Sequence, residues 1–353
     1  MENNINDKRG PKDFKGITFS KYKKSDVKKE LLKSFNDNKI ESACYWAAEY
    51  VAAGHFGELW DIFLEFMAKN IYLANPKLPL YMDMRFESFK QILEGGYMSN
   101  ELRLRNNDKI RKLFSEICCI LCLSHKKNKF SPIKVTKSEY IITDIQHRLK
   151  APKLTFGTRF FLKDDPKELF IAVNEFAYHL SKRSKNANCA LFWFEWMLGF
   201  ESICKKEKKN NYKAARRNMP VSSKNQNDII WIIWEIILFE SSQHKCSKII
   251  KSLLNNFCIK YTSGASRKRR YIIYFAVHLI VEKYDIEIKI CKNNSIVEKV
   301  TKKINMIYKQ IKKNEVSPNT DYLFKGLNDG NLEKTIAKLD VMDKIGTFIP
   351  RNN

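Results

Sequence analysis

The chain has 353 residues, 44% of them apolar and 29% charged, with a formal net charge of +25. That apolar fraction excludes global disorder, and the length fits one large domain or two ordinary ones. A positive excess of this size favours nucleic acid as a partner, with an anionic membrane surface second. The composition offers a competing origin for the charge. Lys, Asn, Ile, Tyr and Phe are abundant while Gly (12) and Pro (9) are scarce, the codon signature of an A/T-rich genome.

Residues 1–27 are polar and lysine-rich and include Gly10, Pro11 and Gly16, which predicts a mobile basic tail and no secretory signal. A helix is expected from about Asp26, where Val27, Leu31 and Phe35 recur four residues apart. From Lys39 to Ala53, Ile40, Ala43, Ala47 and Tyr50 share one helical face, and Gly54 can take the left-handed conformation that ends a helix. A second helix, Gly57 to about Tyr72, places Leu59, Phe63, Phe66 and Met67 inward. So short a connection predicts two helices side by side and antiparallel. Asn75 and Pro76 then open a third helix, with Leu80, Met84 and Phe89 inward, which Gly95 and Gly96 end. A fourth follows, capped at Asn107 or Asp108 and running to His125.

Residues 126–165 carry Pro132, Pro152 and Gly157 and read as a linker with a short helix around Tyr140–Leu149. Beyond Pro166, five further segments have helical period: "PKELFIAVNEFAYHL", "ANCALFWFEWMLGFESICKK", "NDIIWIIWEIILFE", "KCSKIIKSLLNNFCIKY" and "RKRRYIIYFAVHLIVEKYD". "SIVEKVTKKINMIYKQIKK" is a last amphipathic helix, and the final forty residues are expected to be loosely structured. Asp228 and Glu240 bound the most apolar stretch well short of a membrane span, so it reads as a buried helix. The class is therefore all-α, as two helical bundles or one elongated array with mobile basic tails. The expected divisions are a tail at 1–27, a helical domain at 28–125, a linker at 126–165, a second helical domain with basic loops at 166–315, and a tail at 316–353.

No G-x-x-x-x-G-K-[ST] or G-x-G-x-x-G occurs, which excludes the common phosphate-cradling loops. Cys118, Cys119, Cys122 and His125 are close in sequence but interrupt an apolar helical face with no second ligand pair, so they read as core and not as a metal site. The nine cysteines form no disulfide framework, which points to a reducing intracellular compartment. Glu49, Glu195, Glu201, Glu235 and Glu240 lie in or beside aromatic helices. Glu195 and Glu235, each flanked by tryptophans, offer an acid–base site in one reading and structural ion pairs in the favoured one. The basic runs carry the main functional expectation. Lys182 and Arg183, Arg216 and Arg217, and Arg267, Lys268, Arg269 and Arg270 sit at helix ends or loops, and arginine forks suit phosphate.

The stretch from Lys33 to Met84, "KSFNDNKIESACYWAAEYVAAGHFGELWDIFLEFMAKNIYLANPKLPLYMDM", carries a resemblance. Ala43, Tyr45, Trp46, Ala48 and Gly54, followed by Ile71, Leu73, Ala74, Asn75 and Pro76, match a pattern in the helical region after the ATPase module of clamp-loader-like AAA+ proteins, particularly the replication-associated recombination ATPases. Tyr72 stands where that pattern has glycine. The resemblance implies a collar-type helical domain that assembles subunits, with Tyr45, Trp46, Tyr50, His55 and Trp60 as the partner-binding hairpin. It does not extend to the nucleotide motifs, so ATP hydrolysis, a cofactor and a resident metal are not expected. The composition also resembles that of large DNA virus proteins. The expected role is a non-catalytic accessory protein of DNA replication or repair, in a nucleus or viral replication site, with DNA or RNA, replication-protein subunits or a second copy of the chain as partners and no membrane. The alternative is a structural or protein-interaction helical protein whose basicity reflects codon usage.

Overall fold

A computed structural model describes residues 3–127, 129–207, 212–316 and 332–345. The chain is 64% helical. Among the described residues the sole bridge of strand type links Ile17 and Lys23, so the fold is all-α. The helices, in chain order, are α1 (Lys24–Asn36), α2 (Ile40–Ala52), α3 (Phe56–Phe66), α4 (Leu78–Glu94), α5 (Asp108–Leu123), α6 (Ile142–Ile145), α7 (Thr155–Thr158) and α8 (Phe170–Leu180). They continue as α9 (Ala187–Lys206), α10 (Ile230–Ser241), α11 (Ser247–Cys258), α12 (Ala265–Lys268), α13 (Arg270–Val281), α14 (Asn294–Lys312) and α15 (Leu332–Ile345). The punctuation expected from the sequence is present. Gly54 has φ +78° after α2, Gly96 has φ +119° after α4, and the Asn107 side chain accepts from Ile110 N–H at 3.3 Å to cap α5.

The chain divides into two compact units, and the division is not the one expected. Unit 1 draws on the chain up to Phe66, on Met84–Lys126 and on the chain from Lys289; unit 2 comprises Met67–Asp83 and Lys127–Ile288. In unit 1 every residue of α2 is buried, and α1, α3, α5, α14 and α15 all pack against it. Ala43, Ala47, Ala48 and Ala52 make this possible, since small side chains on several faces let neighbours approach from all sides. α14 returns to unit 1 because its apolar stripe (Val300, Ile304, Ile307, Tyr308, Ile311) closes the core over α5 and α2. Local sequence cannot reveal a contact of that range.

Four other expectations change. Residues 3–23 are no mobile tail: Ile5, Phe14 and Phe19 are buried, Arg9 lies over both phenyl rings at 4.9 and 4.7 Å, and Ile5 N–H donates to Asn106 Oδ1 at 2.8 Å. Three apolar anchors and one arginine outweigh the polar composition. Within 316–353, α15 is a defined helix whose Leu339 is buried and whose Asp340 meets Lys39 at 2.7 Å, while residues 317–331 and 346–353 lie outside the described residues. Residues 127–165 are no bare linker, because Ile145, Phe160 and Asp165 are buried in unit 2. On α4, Met84 is 61% exposed, while Tyr81, Met82 and Phe89 are each buried. The boundary between the units falls inside this helix, so no single stripe runs along it.

In unit 2, α10 is the central element. Seven of its residues between Ile230 and Ile237 are buried, as the continuous apolar run required, and α8, α11 and α13 pack on it. Among the described residues no helix is long and apolar enough to cross a membrane.

Candidate nucleic-acid interface

The arginines singled out from the sequence divide into those spent inside the fold and those left at its surface. Arg217 is 2% exposed. Its guanidinium grips Asp165 in a fork (2.9 and 2.7 Å), meets Glu235 at 2.6 Å and donates to the carbonyls of Ala215 and Phe160 at 2.9 Å. Arg269 is buried and donates to the carbonyls of Phe257 and Ile259 at 2.7 and 2.5 Å. Arg270 is half-buried against Glu195 at 3.2 Å. These three are therefore removed from the phosphate-binding set. They neutralise buried carboxylates and satisfy carbonyls, which desolvated groups require. Arg216 is exposed and bonded to Gln226 Oε1 at 2.7 Å, Arg267 donates to Leu198 O at 3.1 Å, and Lys268 is exposed.

Lys182 and Arg183 lie in a different environment. The loop 181–186 turns sharply between α8 and α9, with Lys185 in the left-handed region (φ +47°) and Asn186 capping α9 by accepting from Cys189 N–H at 3.0 Å. Its cations gather with two further elements. Short α7 is pressed onto α8 at Gly157, whose N–H donates to Asn174 Oδ1 at 2.9 Å and where any Cβ would stand 2.9 Å from the Asn174 backbone. This seat sets Phe156 against Tyr178 (5.0 Å between ring centroids, 66°) with the Arg183 guanidinium 5.7 Å above it. Beyond α7, Phe160 is held by the Arg217 fork at its carbonyl and packs edge-on to Phe239 at the end of α10 (5.4 Å, 72°), and Arg159 lies 4.2 Å over the Phe239 ring. Phe239 is 47% exposed. Among the described residues, none of Arg159, Lys182, Arg183 and Lys185 has a carboxylate within ion-pair distance.

Gly157→Ala tests this seat. The added methyl group meets backbone, so α7 must lift from α8 at a cost of about 1–3 kcal/mol. Thermal unfolding of the variant is expected several degrees below the parent. Phe156 and Arg159 are expected to lose their fixed positions.

The face is electrostatically biased. Burial raises the Glu240 carboxyl above its ordinary range, and Arg159 and Lys182 pull it only partly back. Burial lowers the His244 imidazole, and Lys182 and Lys185 lower it further. An anion that neutralised these lysines would ease protonation of His244, and protonation of Glu240 would remove the opposing charge. Both titrations make the face more positive as pH falls, so affinity for an anionic polymer should rise from pH 7.5 to 5.5, by at most about tenfold per unit for each proton taken up. His244→Gln combined with Glu240→Gln is expected to flatten that profile in a binding titration.

The other sequence candidates belong to the cores. Tyr45, Trp46, Tyr50 and Trp60 are buried in unit 1, and Trp60 packs against Phe63, Phe86, Phe89 and Phe114. They hold helices together and offer no surface to a partner. His55 is half-exposed and its Nε2 bonds Ile17 O at 2.8 Å. Glu195 accepts from Tyr274 O–H at 3.0 Å as well as from Arg270, and Glu235 is the Arg217 partner, so both carry the ion pairs favoured above. Glu49 is fully buried and accepts from Ser20 N–H and O–H at 2.9 and 2.5 Å. Cys118, Cys119 and Cys122 are buried with Cys44, and His125 is exposed apart from them.

The sequence reading had Lys185 within the basic run from Ser181 but missed Arg159, Phe239, Phe156 and His244. One signal was present: Phe239 is the last apolar residue of a run broken only by Glu235, and Glu240 follows it directly. Compared with known proteins, the chain matches no family model, and no curated protein or solved structure resembles it.

Proposed function

We propose that the protein is a non-catalytic nucleic-acid-binding protein and that unit 2 binds through the face formed by α7, the 181–186 loop and the end of α10. One observation carries the reading. Arg159 and Arg183 lie over Phe239 and Phe156 there, Lys182 and Lys185 stand on the adjoining loop, and among the described residues none of the four forms an ion pair, which suits phosphates and bases together. An accessory role in DNA replication or repair rests on the resemblance of residues 33–84 to the collar region of clamp-loader-like ATPases. Tyr72 lends that resemblance some support. It stands at the glycine of the pattern, and its φ of +30° lies in the region glycine enters readily and other residues rarely. The matching stretch is divided at Phe66 between the two units, which weighs against a self-contained collar domain.

A structural or interaction protein with inherited basicity is the second reading. The burial of Arg217 and Arg269 and the pairing of Arg270 with Glu195 favour it, since arginine enrichment in those runs has an internal explanation. Titration of single-stranded and duplex DNA over a salt series separates the two. The first reading requires affinity that falls steeply with salt; weak, salt-independent association supports the second.

A further inference from the structure

We propose that the face on unit 2 takes single-stranded nucleic acid, with a base stacked on Phe239 and the neighbouring phosphates held by Arg159 and Lys182. This rests on the reading that unit 2 binds nucleic acid and goes further by naming the form of the strand. In a duplex, bases are stacked on one another and their faces are closed to a protein surface. An exposed phenyl ring then gains little, while lysines and arginines alone would suffice. A single strand offers free π-faces, and an aromatic ring flanked by cations is the arrangement that exploits them.

Phe239 meets these requirements by position and by fixation. Most residues before it on α10 are buried, and the ring emerges where the helix reaches the surface, almost half exposed. Its orientation is set in the free protein. Phe160 presses on it edge-on at 5.4 Å, and Phe160 is in turn tied by Arg217 through its carbonyl at 2.9 Å. Arg159 lies over one side of it at 4.2 Å, and Phe239 remains 47% exposed. The pairing of a ring and an arginine recurs on α7 and the adjoining loop, where Arg183 lies over Phe156. Lys182 stands beside Arg183 on the 181–186 loop, and its charge acts on Glu240, the residue after Phe239, and on His244. Charge complementarity thus selects an anionic polymer, and the open ring selects one with unstacked bases.

The test uses the full chain, a mixed-sequence 20-nucleotide strand and the matching 20-base-pair duplex, with fluorescence anisotropy at fixed salt. The single strand is expected to bind at least about tenfold more tightly than the duplex. Phe239→Leu keeps apolar bulk against Phe160 and removes the π-face; it is expected to weaken the single strand about tenfold and leave the duplex unchanged. Photocrosslinking of a bromouracil-substituted strand, followed by peptide mapping, gives a readout that does not depend on how the variant folds. The crosslink is expected on the peptide containing Phe239. Equal affinity for both forms, an unaffected Phe239→Leu variant with unchanged melting, or a crosslink confined to other elements would overturn the stacking assignment while leaving nucleic-acid binding intact. Failure to bind either form at low salt would remove the underlying reading, and the stacking assignment with it.

Discussion

Replacing Arg217 by alanine is expected to destabilise unit 2 by about 3–5 kcal/mol. The guanidinium is buried among Asp165, Glu235 and two carbonyl groups. Its loss leaves the fully buried Asp165 carboxylate without its counter-charge. Breaking a buried pair from one side costs about 3–5 kcal/mol, a large part of the ~5–15 kcal/mol that holds an ordinary domain together. Arg217→Lys is expected to rescue little, because an ammonium cannot span both Asp165 oxygens, Glu235 and the Phe160 carbonyl at once. Arg217→Met with Asp165→Leu removes both charges, which elsewhere can be neutral or stabilising. Here it would recover only part of the loss. Asp165 also accepts from the N–H groups of Leu162 and Ala215 at 2.8 Å, and leucine would leave both unpaired.

The same pair predicts acid sensitivity. Burial would raise the Asp165 carboxyl, but the Arg217 fork and the two backbone donors outweigh it and hold the group below its ordinary value. A carboxylate depressed in the folded state contributes stability that is complete above the unfolded value near pH 4. That stability is lost as pH falls through the lower, folded value. Urea unfolding at pH 7 and pH 3 should therefore show the parent losing more stability on acidification than Arg217→Ala does. Equal losses would mean that the pair contributes no such linkage.

Neutralising the loop cations is expected to give the largest change in binding. If Arg159, Lys182, Arg183 and Lys185 each meet one phosphate of a single strand, log affinity should fall against log salt with a slope near −3, at about 0.7 per contact. Raising salt from about 50 to 200 mM then weakens binding about 50-fold. The triple variant Lys182→Gln, Arg183→Gln, Lys185→Gln should retain a slope of about −0.7. A control of equal charge change on α14 of unit 1, at the exposed Lys299, Lys302 and Lys303, should keep the parent slope. If both triples weaken binding equally, the whole-chain field governs association and the face has no special part in it. The second reading would then gain.

Fold class and most helices were legible in the sequence because helical period is a local property. Val27, Leu31 and Phe35 on α1, Asn107 at the start of α5 and Gly54 after α2 each report the backbone within a turn or two of themselves. The burial of α10 was legible from its nearly unbroken apolar composition, which is local too. The course of residues 3–23, the return of α14 to unit 1 and the division of α4 between two cores were not. Each depends on which distant surface an apolar stripe covers, and period does not say which.

For the candidate site the division is sharper. The sequence determined that cations cluster near helix ends, and that no common nucleotide-binding loop is present. Which of those cations remain available was decided by tertiary structure alone. Arg216 and Arg217 are neighbours in an identical run, yet one is exposed and the other is closed within a carboxylate cage. The physical reason is desolvation. A buried Asp165 requires a positive partner, and that partner is fixed by where the chain folds back, a property of space that residue order does not encode locally.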